Sequence, residues 1–267
     1  MLLIESILIV LLMGGLLKNQ IKKYPGVFYL LTILLNCAYI FIGSSPAAKE
    51  LSPVIQKFIL GPLNRGALGT AFIVVVMYLG ILKKKGLVRD LMEIRGELSI
   101  IGSILIFGHN ILFGKHFFLA FFADPSKLNR VQYIATIISL IMLVLLIPLF
   151  ITSFKCVRRK MNPSSWKKLQ KLAYTFFILI YVHVMILFAA HIKDTMIEVI
   201  IYTAIWGFYI IKLIQKKSKK TLRVWCLPSL LDKPVRRVFL FKKILKFCIF
   251  LVLEFFREAI NFYDFIK

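Results

Sequence analysis

The sequence contains four histidines, and they fall in two pairs near the ends of two apolar segments. One pair is His109 with His116, and the other is His183 with His191. Imidazole nitrogens are common ligands of transition metals and of haem iron. Two membrane helices that each carry such a pair could hold a metal ion or a haem between them.

The composition predicts the elements that would position these side chains. Apolar residues make up 60% of the 267 residues, and the mean hydropathy is +0.83. Such values are typical of a polytopic membrane protein and not of a soluble domain. The net charge of +24 comes from Lys and Arg clustered between long apolar runs, as in membrane loops. Since no recognisable nucleic-acid module occurs, nucleic acid is excluded as the expected partner, and the lipid bilayer takes its place.

Apolar windows of about 17 to 22 residues predict seven membrane spans. These spans are residues 2–17, 25–43, 64–82, 97–115, 132–153, 170–191 and 196–213. The loops at 18–23, 83–95, 155–171 and 212–223 carry 21 Lys and Arg residues, whereas the alternate loops carry 7. Positively charged loops stay in the cytoplasm, so the N-terminus is expected outside the cell.

The predicted fold class is an all-α membrane helix bundle in three parts. Residues 1–60 form two additional N-terminal spans and an outer loop, and the first span is expected to be retained because no cleavage site follows it. Residues 61–214 form the main transmembrane domain. Residues 215–267 form a basic cytoplasmic tail, in which 236–266 has the pattern of an amphipathic helix lying on the membrane surface. The four cysteines have no metal-binding spacing.

Helix geometry places one histidine of each pair at the same depth. His109 follows Arg95 by 14 residues and His183 follows Lys168 by 15, which corresponds to about 21 and 22 Å along a helix axis. Both helices run from inside to outside, so both imidazoles lie in the outer half of the bilayer. The small residues Gly102, Gly108 and Ala173 flank this position. The arrangement favours axial ligation of a flat macrocycle, although each imidazole could instead bond a neighbouring carbonyl.

His116 and His191 are secondary candidates. They follow their partners by 7 and 8 residues, on roughly the same helix faces and at the outer membrane surface. A second haem there would crowd the first. Interfacial polar residues, or contacts to an incoming electron acceptor, are the expected roles.

Three stretches of the sequence carry a pattern shared with a known family. The first is Asn64-Arg65-Gly66-Ala67-Leu68, and the second joins Arg95 to His109. The third contains Thr152-Ser153, Arg159-Lys160, Trp166, Leu169-Gln170, Tyr174 and Ile180-Tyr181-Val182-His183. Over roughly residues 62–213, the chain resembles the ferric-reductase-like transmembrane domain family, and within it the MsrQ-type haem-binding membrane subunit of the bacterial methionine sulfoxide reductase system.

The chain departs from this family at the inner haem. The family has Leu-His where this chain has Leu169-Gln170, thirteen residues before His183. The corresponding position on the other helix, thirteen residues before His109, is Gly96, which has no side chain. The resemblance therefore implies one haem b on the outer side, ligated by His109 and His183. Gln170 could bind a quinone or FMN instead of an inner haem, or could simply be a polar residue at a helix start.

The resemblance implies transmembrane electron transfer in a bacterial plasma membrane. The expected donor is a cytoplasmic flavoprotein, a bound flavin or a membrane quinol, and the acceptor is an extracytoplasmic protein or metal ion. Arg65 could pair with a haem propionate, and a carrier near Arg95, Gln170 or Tyr174 would bridge the gap to the cytoplasm. No acid, base or nucleophile is needed for this chemistry, so no catalytic residue is expected.

Two other interpretations remain open from the residues. In a membrane transporter, the histidines would carry protons or substrate. In an assembly subunit, the haem site would have decayed, which the loss of a ligand at Gln170 allows. The donor, the acceptor and the oligomeric state are not determined by the sequence.

Overall fold

A computed structural model of the chain describes residues 2–43, Ser52 and residues 61–225. Over these residues the chain is all-α and contains no strand, which confirms the all-α part of the predicted fold class. The predicted tail helix at 236–266 lies outside the described residues, as do Cys226 and Cys248 and most of the outer loop. Residues 1–206 form one compact unit, which contains every contact described below, and the chain from Gly207 onward belongs to a second.

The helices are numbered here in chain order. They are α1 (Leu2–Leu16), α2 (Lys18–Lys23), α3 (Pro25–Gly43), α4 (Ala67–Leu79), α5 (Leu87–Glu93), α6 (Arg95–His109), α7 (Lys115–Ala123), α8 (Arg130–Ile151), α9 (Lys155–Lys160), α10 (Pro163–Leu169), α11 (Leu172–Ala189) and α12 (Ile192–Trp225). A helical turn at Gly61–Leu63 and a 3-10 turn at Asn64–Gly66 lead into α4, and a second 3-10 turn lies at Pro125–Lys127. A π-helical turn at Asn110–Gly114 joins α6 to α7.

Five helical segments in the described part are long and apolar enough to cross a membrane. They are Pro25–Ile42, Arg95–Ala123, Arg130–Ile151, Pro163–Ala189 and Ile192–Ser218. The other two predicted spans, 2–17 and 64–82, contain the shorter apolar helices α1 and α4, of 15 and 13 residues. At 1.5 Å per residue these are about 22 and 20 Å long, shorter than the apolar thickness of a bilayer. The chain is consistent with a multi-pass membrane protein.

The core of the bundle is α4, whose residues 71–77 are all buried. A helix that is apolar on every side is stable only when other helices surround it. Two glycines bring α4 and α6 together: Gly69 lies opposite Ile106, and Gly102 lies opposite Phe72. A Cβ on Gly102 would approach the Phe72 Cβ to 2.6 Å. Small residues of this kind allow membrane helices to pack backbone to backbone.

A buried amide attaches α3 to the other side of α6. The Asn36 Nδ2 donates to the Ile104 carbonyl at 2.5 Å, and the Asn36 side chain fills the space next to Gly108. Hydrogen bonds between membrane helices contribute about 1 kcal/mol. Helix α6 is therefore held between α3 and α4.

The remaining membrane helices form a second group. Helix α8 packs along α11, and α11 is joined to α12 by an aromatic stack in which the Phe177 and Trp206 rings lie 4.5 Å apart. The Trp206 Nε1 also donates to the Phe177 carbonyl at 2.8 Å. The two groups meet where α4 contacts α11 and α6 contacts α8, and the Tyr78 hydroxyl on α4 also donates to the Ile205 carbonyl on α12 at 2.6 Å. We call the boundary between the two groups the seam. Across the seam, α6 and α11 make no extensive contact with each other.

Ion pairs hold the short helices at one end of the bundle. The Lys18 Nζ lies 2.9 Å from the Asp90 carboxylate, and the Lys22 Nζ lies 2.8 Å from the Glu93 carboxylate. The hydrogen bond from Lys18 lowers the pKa of Asp90, and the hydrogen bond from Lys22 lowers the pKa of Glu93. These exposed pairs connect α2 to α5.

The ion pairs should stabilise the fold in a pH-dependent way. A lowered carboxyl pKa contributes stability above its unfolded-state value, and the contribution is lost as the pH falls through the lowered pKa. The double variant Lys18→Gln/Lys22→Gln should unfold at a lower temperature than the parent at pH 7. The difference should vanish well below pH 3.8, the ordinary pKa of Asp90. Lys84→Gln, at an exposed position in the loop before α5, is the control. Its unfolding temperature should not differ from the parent's in a pH-dependent way.

The close approach of α4 and α6 should tolerate no added volume. Overpacking a buried contact costs about 1–3 kcal/mol, so Gly102→Val should lower the free energy of unfolding by that amount. Gly26→Val is the matched control, because nothing lies within 4 Å of a Cβ at Gly26. Equal effects of the two substitutions on thermal unfolding in detergent would contradict the packing described here.

Candidate functional site

The structure brings His109 and His183 together across the seam. His109 is the last residue of α6, and His183 lies in the middle of α11. The two rings are close enough to interact electrostatically. Their helices make no extensive contact with each other.

Helix α8 orients His183. The Ser139 Oγ lies 3.4 Å from the His183 Nδ1, and the ring also interacts with the backbone of Ala135, one turn earlier on α8. A ligating histidine commonly engages its second nitrogen in this way, and the contact fixes both the tautomer and the ring plane. The contact with α8 therefore restrains the His183 ring on its Nδ1 side.

Packing, and not hydrogen bonding, positions His109. Its Nδ1 is buried without a hydrogen-bond partner. The ring lies against Gly66, where a Cβ would come within 3.1 Å of the His109 Cγ, and the Phe113 ring is 5.2 Å away. Gly66 has a φ of +68° and the preceding Arg65 a φ of +54°. This left-handed turn brings bare backbone against the imidazole, a position that only glycine allows.

The two histidines fit a haem better than a bare metal ion. Among the described residues, no group of three or more His, Cys, Asp or Glu side chains could hold a metal ion. A haem requires only two axial ligands from the protein. Two half-buried imidazoles, one beside Ser139 and one held by packing, could supply this set. By donor type, these side chains suit the group that the resemblance implies.

The glycines near the site serve helix packing. Gly102 faces Phe72 on α4, and Gly108 faces Asn36 on α3. The expectation that they flank a macrocycle is not met, because both are used to bring α6 against its neighbours. Ala173, by contrast, lies along the seam.

A cavity lies in the seam on the Arg95 side of the histidines. We call it the inner cavity; its volume is about 40 Å³. Four helices contribute its lining, which is apolar except for Arg95, Ser99, Ser103, Ser153 and Gln170. The structure thus brings together two of the predicted cofactor-binding residues, Arg95 and Gln170.

Gln170 stands where the family resemblance would place an inner haem ligand. Its Nε2 donates to the Thr152 Oγ1 at 3.3 Å, and the Trp166 Nε1 donates to the Thr152 carbonyl at 3.2 Å. On α6, a Cβ at Gly96 would lie 3.5 Å from the Ser153 carbonyl oxygen, an ordinary van der Waals distance. Neither position therefore presents an imidazole.

The other predicted residues lie apart from this site. Tyr174 is 42% exposed and does not line the inner cavity. Arg65 is exposed and interacts electrostatically with Glu198 on α12, so the structure gives it a protein carboxylate as a partner. His116 and His191 are both exposed.

Three residues in or near the site were not predicted from the sequence. Ser139 could have been noticed as a lone polar residue in the apolar segment of α8. Gly66 was recognised only as part of a motif, since nothing in the sequence shows that it contacts His109. Asn36 lies in a segment to which no chemistry was assigned.

Comparisons with known proteins leave the family open. No family model matches the chain, and no solved structure matches it. A protein of Treponema pallidum (strain Nichols), described as "Uncharacterized protein", is 32% identical over 208 residues, which cover 76% of this chain. The chain spans 57% of the length of that relative.

The contact between Gly66 and His109 can be tested by substitution. Gly66→Ala should destabilise the protein by about 1–2 kcal/mol, the cost of a left-handed L-residue, and should also displace the His109 ring. Gly86 has a φ of +49° and nothing within 4 Å of a Cβ, so Gly86→Ala carries a backbone cost without touching the ring. Only Gly66→Ala should shift the His109 imidazole signals in NMR spectra of histidine-labelled protein. An identical shift in Gly86→Ala would contradict a direct contact.

Proposed function

We propose that the chain is a membrane cytochrome that holds one haem b between His109 and His183 and conducts electrons across the bilayer. The observation that supports this most strongly is the pair of half-buried imidazoles, His109 and His183, which interact electrostatically from two helices that make no extensive contact with each other. A histidine inside hydrocarbon is costly and is usually functional. Two of them at one depth match the ligand set of a bis-histidine haem.

The proposed topology has seven spans with the N-terminus outside. It is supported by the excess of Lys and Arg, 21 against 7, in alternate loops. Arg95 and Gln170 line the same cavity, so α6 and α11 begin at the same end of the bundle. In this topology that end faces the cytoplasm, and the histidines lie in the outer half of the bilayer. The donor would be a cytoplasmic flavoprotein, a bound flavin or a membrane quinol, and the acceptor an extracytoplasmic protein or metal ion.

A bound haem would supply a one-electron redox centre. The protein's own residues would set its environment. Ser139 and the Ala135 backbone hold the His183 ring, while Gly66 and Phe113 hold the His109 ring. The apolar side chains around the seam exclude water, and low polarity and ligand orientation are the means by which a protein tunes a haem.

Haem binding by the purified protein tests the proposal directly. With haem supplied, the visible spectrum should be that of low-spin haem b, and quantitation should give one haem per chain. His109→Ala and His183→Ala should each abolish that spectrum, because low-spin bis-histidine ligation needs both nitrogens. His116→Ala and His191→Ala are matched controls at exposed positions and should leave it unchanged.

Three other results of the haem-binding experiment would each contradict part of the proposal. If the low-spin spectrum persists undiminished in both His109→Ala and His183→Ala, the proposed ligands are wrong. If no haem binds, the protein is a transporter or an assembly subunit, and a redox titration in membranes should then show no midpoint. Two haems per chain would show that Gln170 does not mark the loss of a second site.

A further inference from the structure

We propose that α9 and α10 present a binding surface for the head groups of anionic phospholipids. The surface consists of five exposed cations, which we call the basic surface: Arg159, Lys160, Lys167, Lys168 and Lys171. The inference goes beyond the proposed function, because it concerns the lipid around the protein and requires no haem. The ligand is a phosphate group of net negative charge that is presented at the membrane surface.

The segment that carries the basic surface contains cations and no acidic residue. Residues 155–171 include seven Lys and Arg residues and no Asp or Glu, and no acidic residue occurs between Asp124 and Asp194. Residues 83–97 contain five cations, but three carboxylates lie among them. The excess of positive charge is therefore concentrated on α9 and α10.

Two of the seven cations have partners within the protein. The Lys155 Nζ is bonded to the Glu97 carboxylate on α6, and the Arg158 guanidinium lies over the Trp166 ring, 5.7 Å from its centroid. The other five cations form the basic surface, and none of them makes an ion pair with a carboxylate in the part of the chain that the structure describes. Clustered cations beside membrane spans are the feature that attracts anionic lipids.

Two contacts give the basic surface a defined geometry. The Trp166 Nε1 on α10 donates to the Thr152 carbonyl at the end of α8 at 3.2 Å. The Asn162 side chain accepts a hydrogen bond from the Ser164 backbone N–H at 2.9 Å and so closes the turn between α9 and α10. The two short helices are thereby held at the ends of the membrane helices α8 and α11.

The length of the helical segment Pro163–Ala189 places the basic surface at the level of the lipid phosphates. Its 27 residues extend about 40 Å, whereas the hydrocarbon core of a bilayer is about 30 Å thick. The part that extends beyond the core is α10, because Lys167 and Lys168 lie on it. Trp166, on the same helix, is a residue type that is enriched at the membrane interface. A head-group phosphate is therefore the anion closest to these cations.

Native mass spectrometry of the full chain can count the lipids that stay bound. The purified protein is titrated with dioleoyl phosphatidylglycerol, which is anionic, and with dioleoyl phosphatidylcholine, which has the same acyl chains and no net charge. The anionic lipid should bind with saturation, and the zwitterionic lipid should not. Raising the ionic strength from about 0.1 to about 1 M should weaken the binding, because the Debye length falls from about 10 to about 3 Å.

Charge-removing variants locate the site. Lys167→Gln/Lys168→Gln should raise the dissociation constant of phosphatidylglycerol about 25-fold, at about fivefold for each cation near the surface. Arg159→Gln/Lys160→Gln repeats the test on α9. The matched control is Lys18→Gln/Lys22→Gln, which removes the same charge from lysines that are already paired with carboxylates. The control should leave the dissociation constant unchanged, and an equal rise would assign the binding to net charge and overturn the proposal.

Free phosphate and an acidic protein are the alternative ligands. Inorganic phosphate at matched ionic strength should not displace phosphatidylglycerol, and displacement would show a site for free anions instead of lipid. If phosphatidylglycerol binds no better than phosphatidylcholine, or if both basic-surface variants bind it like the parent, the lipid assignment is wrong and an acidic protein becomes the ligand to test. These measurements use haem-free protein, so their outcome is separate from that of the haem-binding experiment.

Discussion

The whole arrangement depends on the close packing of α4 against α6. In a bilayer, helices gain little from the hydrophobic effect when they associate, and small residues that allow backbones to approach supply the attraction instead. Gly69 and Gly102 provide this contact, and Asn36 secures α6 from the opposite side. Because α6 packs against α3 and α4, it makes no extensive contact with α11. The seam, its two histidines and the inner cavity all depend on this packing.

Counting residues along helices predicted part of what the structure shows. The all-α class followed from apolar runs and is confirmed, whereas the common depth of His109 and His183, which follows from their distances to Arg95 and Lys168, stays a prediction. The supports of the rings could not be predicted in this way. Ser139 reaches His183 only because α8 packs along α11, and Gly102 serves helix packing because Phe72 happens to face it. Such contacts depend on how helices are rotated, which spacing alone does not determine.

The two halves of the seam differ in their chemistry. The part of the seam near His109 and His183 presents imidazoles, whereas the part near Arg95 presents an amide and a guanidinium around a small cavity. A Cβ at Gly96 would lie at an ordinary van der Waals distance from the Ser153 carbonyl oxygen. Neither Gly96 nor Gln170 supplies an imidazole, so this part of the seam lacks the histidine pair of the other.

The π-helical turn directly after His109 has a consequence for the outer surface. A π turn accommodates one extra residue in the helical ladder, and each residue of an α-helix corresponds to roughly 100° of rotation. Everything beyond Gly114 is therefore rotated by about a quarter turn relative to an unbroken helix. His116, which a regular helix would place almost directly above His109, is carried to one side and lies exposed. A single local change in hydrogen bonding separates the two histidines of this pair, so that His109 is half-buried against its neighbours and His116 is exposed.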